Sequence, residues 1–297
     1  MKNNVLVLLS TYNGEKYLSN LLDSILNQKD VNVNILIRDD GSQDGTIDIL
    51  EKYKQQHCIE YYIGNNIGYA KSFWQLLNDA KEYDYYAFCD QDDIWLECKL
   101  KRAIEKIKDR EEKELMPILY TSNVIAINDN MDIIMNKPFK CESVLKVGEA
   151  FQKSVLPGCT FVFNFQAKKI LEQYKGYMES HDWATYTIIT TLGKVIYDSD
   201  SYIYYRIHEN NAIGISNSKI KNVTNKIRRF FKKSNTSRSR FAKDFYECYK
   251  DIIDNSYKEI IKNLAYYKED FLLKIKLLFD KNFKGVLFRI YVILNKV

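Results

Sequence analysis

The sequence predicts an α/β protein, a mostly parallel sheet flanked by helices, followed by a helical extension. Three observations carry this. Short apolar runs alternate four times with stretches of helical spacing on the way to Asp90. Polar clusters recur where three of those runs end, at Ser10–Gly14, Asp39–Thr46 and Asp90–Asp93. After about Ile215 the strand signals stop, and a basic, Tyr/Leu/Ile/Lys-rich helical pattern takes over. The expected division is a body of residues 1–218 and an extension of residues 219–297.

Val5 to Leu9 reads as a buried strand ending in Ser10-Thr11-Tyr12-Asn13-Gly14, the small and turn-forming residues with which such a sheet lines its binding edge. From Tyr17 to Asn27, the apolar positions 18, 21, 22, 25 and 26 mark one face of a helix. Val33 to Ile37 is a second strand, closed by Arg38-Asp39-Asp40-Gly41-Ser42-Gln43-Asp44-Gly45-Thr46. Asp44 or Thr46 can cap the helix that runs to about Gln56. Ile59 to Ile63 gives the third strand, and Asn65-Asn66-Ile67-Gly68 turns the chain into a helix carrying Phe73, Trp74, Leu76 and Leu77. The fourth strand, Tyr85 to Cys89, delivers Asp90-Gln91-Asp92-Asp93. Three carboxylates so close repel one another, and a hard divalent cation held by oxygen donors removes that cost. A solvated acidic turn is the alternative.

Trp95 to about Glu112 has the spacing of a charged amphipathic helix. Ile118 to Ile127 is a strand that turns through Asn128-Asp129-Asn130 into a hairpin ending at Met135. Leu156-Pro157-Gly158-Cys159-Thr160 leads into a strand from Phe161 to Asn164. His181-Asp182-Trp183 opens a helix to about Leu192. Val195 to Asp198 and Tyr202 to Ile207 read as two strands, the second running into His208.

The 297 residues suffice to bury a core, and 46% hydrophobic with 28% charged residues fits a soluble globular chain. The six cysteines form no Cys-x-x-Cys pair, which reads as reduced thiols in a cytoplasmic protein. The apolar run Val5–Leu9 is too short for a signal peptide, and no run is long enough for a spanning helix. The net charge of +5 hides an asymmetry: residues 219–297 carry 20 Lys and Arg against 8 Asp and Glu, a balance of +12. Such a tail meets something anionic. No nucleic-acid module accompanies it, so nucleic acid is not the expected partner.

Ser10-Thr11-Tyr12-Asn13, then Asp39-Asp40-Gly41-Ser42-x-Asp44-Gly45-Thr46, then Asp90-x-Asp92-Asp93 form an ordered series. It resembles the signature of inverting family 2 glycosyltransferases, which have the Rossmann-like GT-A fold. Asp90-Gln91-Asp92-Asp93-Ile94-Trp95, Pro157-Gly158-Cys159-Thr160, His181-Asp182-Trp183 and Tyr205-Arg206-x-His208 look like the bacterial rhamnosyltransferase-like branch. The resemblance covers residues 1 to about 215. It implies a nucleotide-sugar site of Thr11, Tyr12, Asn13, Asp39, Asp40, Asn65, Gly68, Lys71, Asp90, Gln91 and Arg206. Asp40 would accept from a pyrimidine N–H, and Arg206 would neutralise phosphate charge. Asp92 would ligate Mg2+ or Mn2+, with Asp90 on the ribose or the metal's water shell and His208 over the diphosphate or metal. Asp93 is either a further ligand or a cap for the next helix.

By the same resemblance Asp182 is the catalytic base, taking the acceptor hydroxyl's proton as its oxygen attacks C1. His181 and Trp183 would line the acceptor side. The implied donor is dTDP-rhamnose, with a UDP-hexose as its competitor, and the implied acceptor is a bacterial surface glycan or a lipid-linked intermediate. A catalytically inactive sugar-nucleotide-binding module is the alternative; such relatives would be expected to lose the base or the metal carboxylates, and both types are present. A nucleotidyltransferase would carry a Gly-rich basic loop, which Ser10–Glu15 lacks. The extension admits two readings. One is an interfacial helix on an anionic bilayer, at the inner face of the cell membrane. The other is a helix packed on the body or on a second copy, as in a homodimer.

Overall fold

The computed structural model describes residues 2–56, 59–139, 144–153, 156–207 and 237–297. Its elements in order are β1 (Asn3–Thr11), α1 (Leu18–Leu26), β2 (Val31–Asp39), α2 (Thr46–Gln56), β3 (Ile59–Ile63), α3 (Tyr69–Asp79) and β4 (Tyr85–Cys89). There follow β5 (Ile94–Trp95), α4 (Lys99–Glu111), β6 (Ile118–Ile127), β7 (Ile133–Asn136), α5 (Val147–Gln152) and β8 (Val162–Asn164), the last preceded by a 3-10 turn at Gly158–Thr160. Next come α6 (Phe165–Leu171), α7 (His181–Leu192) and β9 (Lys194–Arg206), and finally α8 (Ser237–Tyr249), α9 (Asn255–Tyr266), α10 (Phe271–Phe279) and α11 (Val286–Ile293).

Strands β3-β2-β1-β4 form the parallel half of one sheet, which continues β8-β6-β9-β5, with β7 on β6. Strand β8 is antiparallel to both neighbours, whereas β6 and β9 run parallel. The order reverses at β1, whose right-hand neighbour is β4 and left-hand neighbour β2. Crevices form at such a switch point, outside the carboxyl ends of the strands. Leu9 stands beside Cys89 and Thr11 beside Asp39, so three of the polar clusters leave the sheet at one edge.

Alternation along β1 divides the core. Val5, Val7 and Leu9 face a layer built with α1, α2 and α4, and Leu6 and Leu8 face one built with α3, α5, α7 and the C-terminal helices. Strand β1 is buried on both sides, which is why it reads as an unbroken apolar run.

Two expectations change. Ile94-Trp95 does not start a helix: it pairs with Ile203 and Tyr204 of β9, and the helix begins at Lys99. Flat, the four strand steps from β4 to β5 would span ~19 Å, yet Cys89 to Ile94 reaches at most ~18 Å. The sheet therefore curls, bringing Trp95 back to α1, where its amide donates to Ser24 Oγ at 3.0 Å. The two strands expected between Val195 and Ile207 are one, β9, whose register on β6 shifts between Ser122 and Ile125. The boundary near residue 218 lies outside the described residues.

Candidate functional site

The loops at the switch point are latched to each other. Gln91 Oε1 accepts from Thr11 Oγ1 and from the Tyr12 amide, both at 2.8 Å, and its Nε2 donates to Tyr12 O. Asn13 sits at a positive φ of 49°, which Asn tolerates. Its amide donates to Ser42 Oγ at 2.8 Å, and its Oδ1 accepts from the Gln43 amide at 2.9 Å. Gly14 closes the turn: a Cβ there would lie 2.8 Å from both Gln91 Oε1 and Thr11 Oγ1. Of the residues expected on the nucleotide, Thr11, Asn13 and Gln91 thus use their polar groups to hold loop to loop. Tyr12 is 44% exposed.

Asp39 and Asp40 are both buried. Asp39 accepts from the Gly41 and Ser42 amides at 3.0 and 2.8 Å and from the Ser42 hydroxyl, so its oxygens shape the turn. Asp40 forms a buried ion pair with Arg38 and accepts from the Ile67 amide at 3.3 Å. Arg38 also donates to Asn65 O and Ser72 Oγ. The pair therefore ties the Asn65–Gly68 loop to β2, with Asn65 contributing its carbonyl. Gly68, at φ 81°, starts α3, and Lys71 is exposed one turn on.

The acidic loop divides by depth. Asp90 is half-buried, and burial first, then the charges of Asp92 and Asp182, push its carboxyl up to about 7. Asp93 turns inward: it is buried, accepts from the Arg206 amide at 3.3 Å and takes a hydrogen bond from the Cys159 thiol. Burial, then Asp92 and Asp90, raise its carboxyl far above the usual range. It caps no helix, since α4 starts six residues later. Ligand atoms of Asp90, Asp93 and Cys159 lie within 4.8 Å of one another. Beneath them is Lys99, unremarkable in sequence yet fully buried, its ammonium 3.1 Å above the Trp95 ring. Burial pulls Lys99 down to about 8, opposed by the fields of Cys89, Cys159, Asp93 and Asp90.

Across from the loop, α7 presents His181 and Asp182 in its first turn. Asp182 Oδ1 accepts from the Trp183 amide at 2.7 Å. Close approach of the Pro157-Gly158 turn needs glycine, because a Cβ at 158 would stand 2.6 Å from His181 Nε2 and 3.0 Å from Asp182 Cβ. His181 stacks on Phe73, ring centroids 3.9 Å apart, and meets Phe88 edge-on. Burial pulls its imidazole down to about 4, against the field of Asp182. Tyr69, which sequence reasoning missed, is 44% exposed beside this pair. Its phenol is raised by burial and by the charges of Asp182, Glu179 and Asp90. Its position directly after Gly68 was the available signal.

Three expected ligands are scaffold. His181, expected on the acceptor side, is buried at 3% exposure against Phe73 and Phe88. Trp183 does not line an acceptor surface: it is 1% exposed, donates Nε1–H to Ala150 O at 2.8 Å and packs on Phe241. Arg206 does not offer its guanidinium to phosphate either. It is buried, donating from Nε to Asp92 O at 3.1 Å and from Nη1 to Asn128 O and Asp129 O at 3.2 Å, over the Tyr17 ring. The sequence shows its charge but not which way it points. His208 lies outside the described residues.

A carboxylate-rich edge at the switch point thus faces a second carboxylate on a helix N-terminus, with exposed tyrosines on either side. The sequence pattern of Glycosyl transferase family 2 matches residues 6–175, from β1 to just beyond α6. The chain belongs to glycosyl transferase family 2. This family 2 glycosyltransferase is 33% identical over 220 residues to the dTDP-rhamnosyl transferase RfbG of Shigella flexneri, covering 69% of this chain and 73% of that one. It is 26% identical to the UDP-Glc:alpha-D-GlcNAc-diphosphoundecaprenol beta-1,3-glucosyltransferase WfaP of Escherichia coli, over 69% of this chain and 77% of that one. Its fold matches the crystal structure of S. aureus TarS 1-349 in complex with UDP, with a TM-score of 0.58 at 18% identity, over 91% of this chain and 72% of that one.

Proposed function

We propose that this glycosyltransferase moves rhamnose from dTDP-rhamnose to a hydroxyl of a bacterial surface glycan or lipid-linked acceptor, inverting the anomeric carbon with Mg2+ or Mn2+ bound. One observation carries the reading: the turn that packs on Asp182 at Gly158 continues into Cys159, whose sulfur lies within 4.8 Å of ligand atoms of Asp90 and Asp93. The two groups that a donor diphosphate and an acceptor hydroxyl require therefore flank one turn. The similarity to the Shigella rhamnosyl transferase supports the sugar. The Escherichia coli relative supports a lipid-linked acceptor, and keeps a UDP-hexose as the competing donor.

The carboxylate oxygens of Asp90 and Asp92 fit a hard divalent cation, whose charge would offset the burial and the repulsion that raise Asp90. Asp90 and Asp92 would hold such a cation, which would supply positive charge against that developing on the leaving diphosphate. The chain's own residues do the rest. Tyr12 offers a flat exposed ring to the base. Asp182 accepts the proton of the acceptor hydroxyl while that oxygen attacks C1 from the side opposite the phosphate. Because the diphosphate leaves without protonation, one carboxylate suffices where a glycosidase uses two.

Purified protein incubated with a panel of nucleotide sugars and Mn2+ should release nucleoside diphosphate fastest from dTDP-rhamnose, and a chelator should stop release. Asp182→Asn should lower transfer at least ~100-fold, since a positioned general base contributes about that much or more, while donor affinity stays within about twofold. Normal turnover in that variant would overturn the base assignment.

A further inference from the structure

We infer that α10 and α11 together form a docking face for an anionic lipid bilayer. The two helices form an antiparallel hairpin: Lys274 Nζ donates to Ile293 O and Asn295 Oδ1 at 2.9 Å, and the Arg289 guanidinium donates to Leu278 O. Each helix spends one side on the body, burying Leu277 from α10 and Val292 from α11. At 100° per residue the opposite side of α10 carries Phe271, Leu272 and Phe279, and that of α11 carries Val286, Leu287 and Ile290. All six are exposed, the two phenylalanines by 74% and 76%. Burial of these side chains is what an amphipathic helix normally gains from packing, and a soluble surface rarely leaves so many together in water.

The charge around the face selects its occupant. Residues 271–297 hold six Lys and Arg against one Asp. Two of the six pair with acids outside the hairpin, Lys276 with Glu259 of α9 and Lys284 with Glu149 of α5. Lys274 and Arg289 sit on carbonyls, which leave their charge intact, and Lys281 is exposed at the hairpin turn. In a two-fold dimer this patch would meet its own copy, basic against basic. Anionic headgroups present the complementary charge above an apolar layer that accepts the exposed side chains. The helices, of 9 and 8 residues, are far too short to cross, and among the described residues no helix is long and apolar enough to span a membrane. The face would therefore lie in the interfacial plane. Glycosyl transfer and donor identity do not enter this inference.

The test is flotation of the full chain, without donor, with vesicles of phosphatidylcholine alone or mixed with phosphatidylglycerol. The protein should float with the anionic vesicles, should be released as salt screens the attraction, and should bind phosphatidylcholine alone much less. Phe271→Ser with Phe279→Ser should weaken partitioning about tenfold or more by removing exposed apolar area; Lys281→Glu should weaken it without touching that area. Both sets of residues are exposed, so melting temperature should not move. Equal binding to neutral and anionic vesicles, or wild-type partitioning by the double Phe variant, would overturn the inference. A dimer in light scattering that the double variant dissociates, without vesicle binding, would assign the face to a second copy instead.

Discussion

His181 shows what burial does to a single group. It is enclosed by Phe73, Phe88 and Tyr69, and neither ring nitrogen has a hydrogen-bond partner among the described residues. Its imidazole is therefore neutral in the fold, with a pKa pulled down to about 4, while the unfolded chain restores the ordinary 6.5. The sign follows by linkage. Between those values the unfolded state binds the extra proton, so stability is intact above 6.5 and is lost as pH falls towards 4. At pH 5 the loss should be about 2 kcal/mol, from roughly 1.36 kcal/mol for each unit separating pH 5 from the unfolded value. His181→Phe keeps the stacking and removes the titration. Urea midpoints at pH 7 and pH 5 should then differ less for the variant than for the wild type, with no loss of stability at pH 7. Equal pH sensitivity in both proteins would place the titration elsewhere.

At the scale of elements, the end of β9 holds the acidic loop in place. Arg206 carries its fork to the carbonyls of Asp92, Asn128 and Asp129, and its amide reaches the Asp93 carboxylate. Asp129 in turn binds Lys16 and the Tyr17 hydroxyl, both at 2.7 Å, so the β6–β7 turn, the start of α1 and the loop after β4 share one buried cation. Lysine keeps the charge and loses the fork. Arg206→Lys should cost about 2–3 kcal/mol, from lost charged hydrogen bonds to carbonyls, and should raise the Mn2+ concentration for half-maximal activity several-fold more than it lowers kcat at saturating metal. If melting were unchanged and only donor affinity fell, Arg206 would face the phosphate after all. This residue also marks where the sequence stops being legible. Strand ends were readable because an apolar run followed by a polar cluster records burial along the chain, and β3, β4 and β6 fall on the expected residues. Which way a loop residue points is decided by partners distant in sequence, here residues 92, 128 and 129, and leaves no local pattern. The same holds for Asp93 and Lys99, two charged residues that fold inward onto the cysteines of β4 and of the turn before β8. Helix α7 fails for a different reason: it is buried from His181 through Ile189, so its periodicity distinguishes no acceptor-facing side and Trp183 cannot be placed from it.

For the molecule as a whole, the question is whether the sheet-bearing body can exist without the helices that follow it. Helix α8 inserts Phe241, Phe245 and Tyr249 into the layer that also holds Phe151, Tyr174 and Trp183. Phe241 lies 4.5 Å from the Trp183 ring and 5.3 Å from that of Tyr174, and the Tyr249 hydroxyl donates to Ile170 O at 2.8 Å. Trp183 belongs to α7, so the helix presenting Asp182 rests on α8 from behind. Replacing Phe241 with Ala should cost about 3–5 kcal/mol, the usual range for a buried aromatic, a large part of a domain's typical 5–15 kcal/mol. Cutting the chain after residue 218 removes all three side chains at once and exposes a continuous apolar wall on α5, α6 and α7. We expect that fragment to be insoluble or to melt without cooperativity, whereas Phe241→Leu, which conserves most of the volume, should fold and retain transfer. A fragment of residues 1–218 that melted cooperatively at the full chain's temperature would mean that the body folds without α8. Failure of the fragment together with survival of Phe241→Leu would mean that the extension supplies one wall of the core behind α7, and that Asp182, the proposed base, is positioned from both ends of the chain.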